Sequence, residues 1–194
     1  VSKPNARTIV ALLAALLVVA VAYVAVIVVI ANRASKPEPE LTAYAHGKSV
    51  TVSPFMFCDP KVANGQIDLS DCSTSEAVSN LDVPAGSPLQ ISLPKEIAKA
   101  PWRMKLFYRL PDDNVAVGAF TYEDYKKGLV NTEVETSGTP AAITVPTPKD
   151  PQIKLAVAEL YLPVPAMDAQ GNVGWVPSAI WSIHTPAYQG LTIE

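Results

Sequence analysis

Hydrophobic and polar positions divide this chain into two regimes. Across residues 9–31, from Ile9 to Ala31, there is no charge and one polar side chain, the phenol of Tyr23. A helix of that length measures roughly 35 Å, enough to cross a hydrocarbon core of about 30 Å. Beyond it, apolar residues alternate with polar ones. Trp102, Met104, Leu106 and Tyr108 share one face of a period-2 pattern whose other face is mostly basic, the mark of a half-buried strand. Shorter runs predict strands at 48–53, 88–93, 115–122, 130–135, 141–145, 153–162 and 175–185, and prolines or glycines interrupt nearly every interval. The one helix-like stretch after the span is a single turn at 95–99. Seven or eight short strands separated by such breaks predict an all-β domain, an immunoglobulin-like β-sandwich, with a small β-barrel as the alternative.

These boundaries divide the chain into a short cytoplasmic N-terminus at 1–8, a transmembrane helix at 9–31, a proline-rich linker at 32–41 and an extracytoplasmic domain at 42–194. A cleaved secretory signal has an apolar core of about 7–15 residues and a small-residue cleavage site. Here the run is longer, its best match (Ala20-Val21-Ala22) lies mid-run, and the first cysteine is Cys58. An uncleaved signal anchor is the reading that fits. Lys3 and Arg7 before the span balance Arg33 and Lys36 after it, so flanking charge leaves orientation open. Cys58 and Cys72, with no C-x-x-C, predict a structural disulfide in an oxidising compartment, which puts the domain outside the cytoplasm. Closing a loop of about 15 residues is worth roughly 3 kcal/mol.

Seven alanines lie within the span. At about 100° per residue, Ala11, Ala14, Ala15, Val18, Ala22, Ala25 and Val29 fall within one arc of about 100°, while Leu12, Leu16, Val19, Ile27 and Ile30 point elsewhere. Small side chains let two helix backbones approach closely in lipid, so this face predicts a partner helix.

Charge and candidate chemistry narrow the function. From Leu41 onward 11 basic residues stand against 16 acidic ones, a net of −5, which argues against nucleic acid and against an anionic lipid surface. There is no G-x-S-x-G, H-E-x-x-H or phosphate-cradling glycine loop. His46 and His184 are the only histidines, and Asp59, Asn64, Asp68 and Asp71 lack the spacing of a calcium loop. No catalytic, metal or cofactor site is therefore expected, and the chain is not read as an enzyme. Asp112-Asp113-Asn114 reads as a turn, and Glu123-Asp124 with Lys126-Lys127 as a solvated charged tip. Trp102, Trp175, Trp181, Phe55, Phe57 and Tyr108 are expected in the core. Phe120, Tyr122 and Tyr125 form the candidate exposed docking patch, with Pro146-Thr147-Pro148 and Pro163-Val164-Pro165 as rigid loops.

The block Ser53-Pro54-Phe55-Met56-Phe57-Cys58-Asp59, the second cysteine Cys72, then Val83-Pro84-Ala85-Gly86, Leu93-Pro94-Lys95-Glu96 and Ala100-Pro101-Trp102-Arg103 resemble a family of unknown function. That family comprises exported, membrane-anchored proteins of mycobacteria and related actinobacteria. The resemblance covers roughly residues 46–188, Cys58 and Cys72 match its pattern, and its motifs are structural, so it carries over no catalytic residue. By analogy, single-span exported proteins of this sort are similar to small accessory subunits of the actinobacterial cytochrome bcc–aa3 respiratory supercomplex. The expectation is a non-enzymatic accessory subunit partnered by an integral membrane complex, with membrane lipid around its anchor. A tethered lipid- or glycan-binding module, and an accessory factor of an envelope lipid exporter, are the alternatives.

Overall fold

A computed structural model describes residues 6–33, 38–63, 66–75, 78–130, 132–134, 140–167 and 173–191. The chain separates into two compact units, Val1–Pro37 and Glu38–Glu194. The first contains one continuous helix, α1 (Ala6–Arg33), two to three residues longer at each end than the apolar run. Its stretch Leu12–Ala31 is long and apolar enough to cross a membrane, and none of it is buried against protein. An apolar helix at this position suggests a signal or an anchor.

The second unit is mainly β. Its first half holds β1 (Leu41–Ala45), β2 (Lys48–Val52), β3 (Met56–Cys58), β4 (Lys61–Ala63), β5 (Gln66–Asp68), β6 (Cys72–Thr74), β7 (Ser79–Asn80), β8 (Leu89–Ser92) and the one-turn helix α2 (Lys95–Ala98). Its second half holds β9 (Arg103–Arg109), β10 (Val115–Thr121), the short helix α3 (Tyr122–Lys126), β11 (Thr132–Val134), β12 (Pro140–Val145), β13 (Lys154–Met167) and β14 (Val173–His184). A 3-10 turn at Pro186–Tyr188 follows. One sheet has the order β11-β12-β8-β1-β2 and the other β10-β9-β13-β14-β3-β6, with β7 added parallel to β14 and β4-β5 forming a separate hairpin. All other pairings are antiparallel.

Turn chemistry explains the tightest connections. His46 and Gly47 join β1 to β2, both with positive φ (46° and 78°), as a two-residue hairpin of the primed type requires. Asp113 takes φ 61° between β9 and β10, where Asp112 accepts from the Asn114 backbone and side chain. The Asp-Asp-Asn segment is thus the turn its composition implies. In β1, Leu41, Ala43 and Ala45 alternate inward while Thr42 and Tyr44 point out. They join Val52, Leu89, Ile91 and Ile143 of the same sheet, and Met104, Leu160, Trp181 and Ile183 of the other, in one apolar cluster. The two sheets therefore share one core.

Several expectations need correction. Neither sheet closes on itself among the described residues, so the barrel alternative falls away. Fourteen strands are described instead of seven or eight: β3 to β7 are two or three residues long, too short to display a period, and β1 begins at Leu41 in the stretch read as linker. A second helix, α3, stands at the charged tip: Thr121 caps it, accepting from the Asp124 backbone N–H at 3.3 Å while the Asp124 carboxylate accepts from the Thr121 N–H at 2.8 Å. Pro163 and Pro165 lie inside β13 and not in a loop. Proline is tolerated there because β9 stops pairing at Arg103↔Tyr161, leaving that edge of β13 without a ladder neighbour to deprive.

Candidate functional site

On α1, an unbroken helix puts Ala14, Ala15, Val18, Ala22, Ala25 and Val29 on one face, and each is exposed. The side chain of Ala11 lies outside the described residues. The feature the sequence offered as an interface is thus a continuous surface of small side chains.

The aromatic patch is placed differently from the expectation. Phe120, Tyr122 and Tyr125 are half-buried and pack on the core. Phe120 and Tyr122 meet Trp102 edge-on, centroids 6.2 and 6.0 Å away, and Tyr125 stacks on Tyr122 at 5.8 Å. The capped helix α3 folds these rings back over Trp102. Tyr122 and Tyr125 are only half-exposed, where an open aromatic surface was foreseen.

Trp102 and Trp181 are core residues, as expected, at 0% and 1% exposure. Trp175 and Phe55, expected beside them, are exposed at 60% and 41%. For Trp175 the reason is the length of the β13–β14 hairpin. It pairs from Val157↔His184 out to Met167↔Val173, while β9 and β3 accompany it no further than Tyr161 and Ala179. Beyond Tyr161 and Ala179 these strands pair only with each other, as a two-stranded ribbon, so Trp175 has no neighbouring strand beside it.

Cys58 and Cys72 are disulfide-bonded, directly opposite each other on β3 and β6. The bond hints at an extracytoplasmic domain. Inside its loop Lys61 pairs with Asp71 at 2.8 Å, and Asp68 accepts from the Ser70 N–H, an interaction that holds its carboxyl below the usual range. Asn64 lies outside the described residues. Among the described residues no cluster of three or more His, Cys, Asp or Glu side chains could hold a metal ion. His46 occupies the β1–β2 turn, and His184 ends β14 with its ring 4.0 Å from Tyr188. Burial pushes the His184 imidazole down.

On the face of the second sheet away from the core, Lys105 lies opposite Glu159 and 5.4 Å over the Tyr161 ring. Burial pushes the Glu159 carboxyl up, and Lys105 opposes the shift. A cleft of about 410 Å³ opens where β9, β13 and the C-terminal turn meet, with Asp82, Arg109 and Lys154 on its walls. Arg109 is already committed there: it donates to Asp113 at 2.8 Å and to the Gln189 carbonyl at 3.0 Å, holding the C-terminal segment down. The Arg109 charge in the cleft thus serves the fold. Buried polar atoms without a partner among the described residues are Trp102 Nε1 and Ser182 Oγ. Sequence reasoning missed the ribbon, because period-2 patterning locates a strand without showing where its neighbours stop.

No solved structure matches this chain. Among curated proteins it is 29% identical over 146 residues to an uncharacterized protein of Mycobacterium tuberculosis, Rv0875c, covering 75% of this chain and 76% of that protein. The same figures hold for an uncharacterized protein of Mycobacterium bovis, Mb0899c. A family described as "Protein of unknown function (DUF2771)" matches residues 34–186, which takes in nearly the whole β unit and leaves out α1. With that match spanning well over half of its length, the chain belongs to the DUF2771 family.

Proposed function

We propose that this protein is a non-enzymatic accessory subunit of a larger actinobacterial membrane complex. In this reading α1 is a single-pass plasma-membrane anchor with its N-terminus in the cytoplasm. The β unit, an immunoglobulin-like sandwich in its layering, stands on the outer side. One observation carries the reading: a helix with its small residues gathered on one exposed face is joined within a few residues to a β unit with a well-packed core. Such a helix gains from packing against another helix, and a rigid domain then adds a second surface of contact. Among hosts, a respiratory assembly comes first by the analogy drawn above, and an envelope lipid exporter second. The lipid- or glycan-binding alternative asks for a cavity bounded by Trp102, Met104 and Trp181. All three are at most 1% exposed in the shared core.

A mild-detergent pull-down of the tagged full-length chain, analysed by mass spectrometry beside Ala15→Leu and Ala22→Leu, tests this. The expected result is one large membrane complex with the native chain and its loss or weakening with the variants. A monomer indifferent to both substitutions would refute the subunit reading.

A further inference from the structure

We infer that the free edge of β10 is a self-pairing surface. Two copies of this chain join there, β10 antiparallel to β10, and extend the second sheet across a two-fold axis at Val117. Such pairing needs no third protein and is independent of any host complex.

Hydrogen-bond parity along the β9–β10 hairpin shows what that edge offers. The Leu110 N–H donates to the Asn114 carbonyl at 2.9 Å at one end, and the Tyr122 N–H to the Trp102 carbonyl at 3.0 Å at the other. Bonded positions alternate along an antiparallel ladder. With Ala116 opposite Tyr108 and Gly118 opposite Leu106, the even-numbered residues of β10 bond to β9. Val115, Val117, Ala119 and Thr121 therefore turn their N–H and C=O groups outward. The Thr121 N–H is taken by the Asp124 carboxylate at 2.8 Å. The backbone groups of Val115, Val117 and Ala119 have no partner among the described residues.

Sheet edges are ordinarily blunted by charge, proline, a bulge or brevity. The other edges of this unit carry such devices. β2 holds Lys48 and gives its Thr51 carbonyl to the Ser79 hydroxyl, while β11 holds Glu133 and a bulge. β6 is three residues long, with Ser73 bonded to Glu38, and the distal β13–β14 pair holds Pro163, Pro165 and Pro177. β10 reads Val-Ala-Val-Gly-Ala-Phe-Thr, without charge or proline, and its register with β9 is unbroken. Val117 at its centre is 61% exposed.

Length and register select a second copy as the occupant. The open stretch Val115–Ala119 is bounded by the Asp113 turn and by the α3 cap, so a longer strand would run into α3. Another β10 has the same limits. A two-fold axis at Val117 sets Val117 against Val117 and Val115 against Ala119, and every outward N–H and C=O of the stretch is then used. Centring the pair on Ala116 or Gly118 leaves outward groups unmatched or calls on the capped Thr121. Beyond the paired stretch Asp113 falls opposite Thr121 and Asp112 opposite Tyr122, so no acidic residue stands directly against another.

The full chain in mild detergent tests this by sedimentation and by cysteine cross-linking. Cys58 and Cys72 are bonded to each other and are the only cysteines, so an introduced thiol is the sole free one. Val117→Cys should form a disulfide-linked dimer on mild oxidation, because paired Cα atoms lie about 5.5 Å apart. Val115→Cys and Ala119→Cys should cross-link when mixed and not when each is alone, since like positions are then about 13 Å apart along the strand. Val117→Pro removes an outward N–H and leaves the β9 ladder intact, and Val117→Lys sets like charges across the axis. Each should weaken the dimer seen in sedimentation by about tenfold or more. A native chain that sediments as a monomer and a Val117→Cys chain that stays uncross-linked would overturn the inference. So would a dimer that survives both Val117 substitutions, or cross-linking of Val115→Cys alone as fast as the mixture.

Discussion

His184 shows how one partly buried side chain sets a pH dependence for the domain. Its ring packs at 4.0 Å on Tyr188, and burial disfavours the imidazolium, so its pKa in the fold lies below the ordinary 6.5. As pH falls through that ordinary value the unfolded chain takes up the proton first. Stability present above the unfolded pKa is then lost progressively until the folded pKa is passed. Glu159 has the opposite sign. Its pKa is raised by burial, so its contribution is fullest at acid pH and declines as pH rises through the carboxylate range. The prediction separates the two windows: between pH 7.5 and 5.5 the thermal midpoint of the native chain falls, and in His184→Gln it falls less. Equal slopes in the two proteins would deny His184 this role.

At the scale of elements, the disulfide and the ribbon divide what could and could not be read from sequence. β3 and β6 are three-residue strands on the edge of the second sheet, and the Cys58–Cys72 bond joins them. Opening it by Cys58→Ser with Cys72→Ser should lower stability by about 2–4 kcal/mol in urea denaturation. An unchanged midpoint would mean that the loop is held by its backbone bonds alone. The cysteines were legible because their types and spacing need no knowledge of neighbours. So was β9, whose apolar alternation runs long enough to count. Trp175 was misread for the complementary reason. A tryptophan in an alternating strand reads as core, and only the register with β3 and β9 shows that both neighbours have ended before it. The helix α3 was missed although Thr121 and Asp124 stand at capping-box spacing, because five residues rich in charge resemble a loop tip. Removing that cap with Asp124→Ala should cost about 0.5–2 kcal/mol and free the Tyr122 ring, seen as a loss of aromatic near-ultraviolet dichroism.

For the whole molecule, the point at which the tether becomes the domain decides how much freedom the β unit has. Composition put the boundary at residue 42, after the last charged residue of the proline-rich run. Physical contacts put it earlier. Pro39 offers its carbonyl to the Trp181 Nε1–H at 2.9 Å, Glu40 accepts from the Ser53 hydroxyl at 3.0 Å, and Leu41 is 1% exposed in the shared core. Only 34–37 then separate the end of α1 from folded chain, fewer residues than the linker of 32–41 read from composition. A fragment of residues 38–194 should therefore denature with the midpoint of the β unit in the full chain. One of 42–194 should lose about 2–5 kcal/mol, from the burial of Leu41 and from the Trp181 N–H left without its acceptor. Against a typical total of about 5–15 kcal/mol that is a large share, readable in a single chemical-denaturation series. Equal midpoints would return the boundary to residue 42 and give the domain a longer leash.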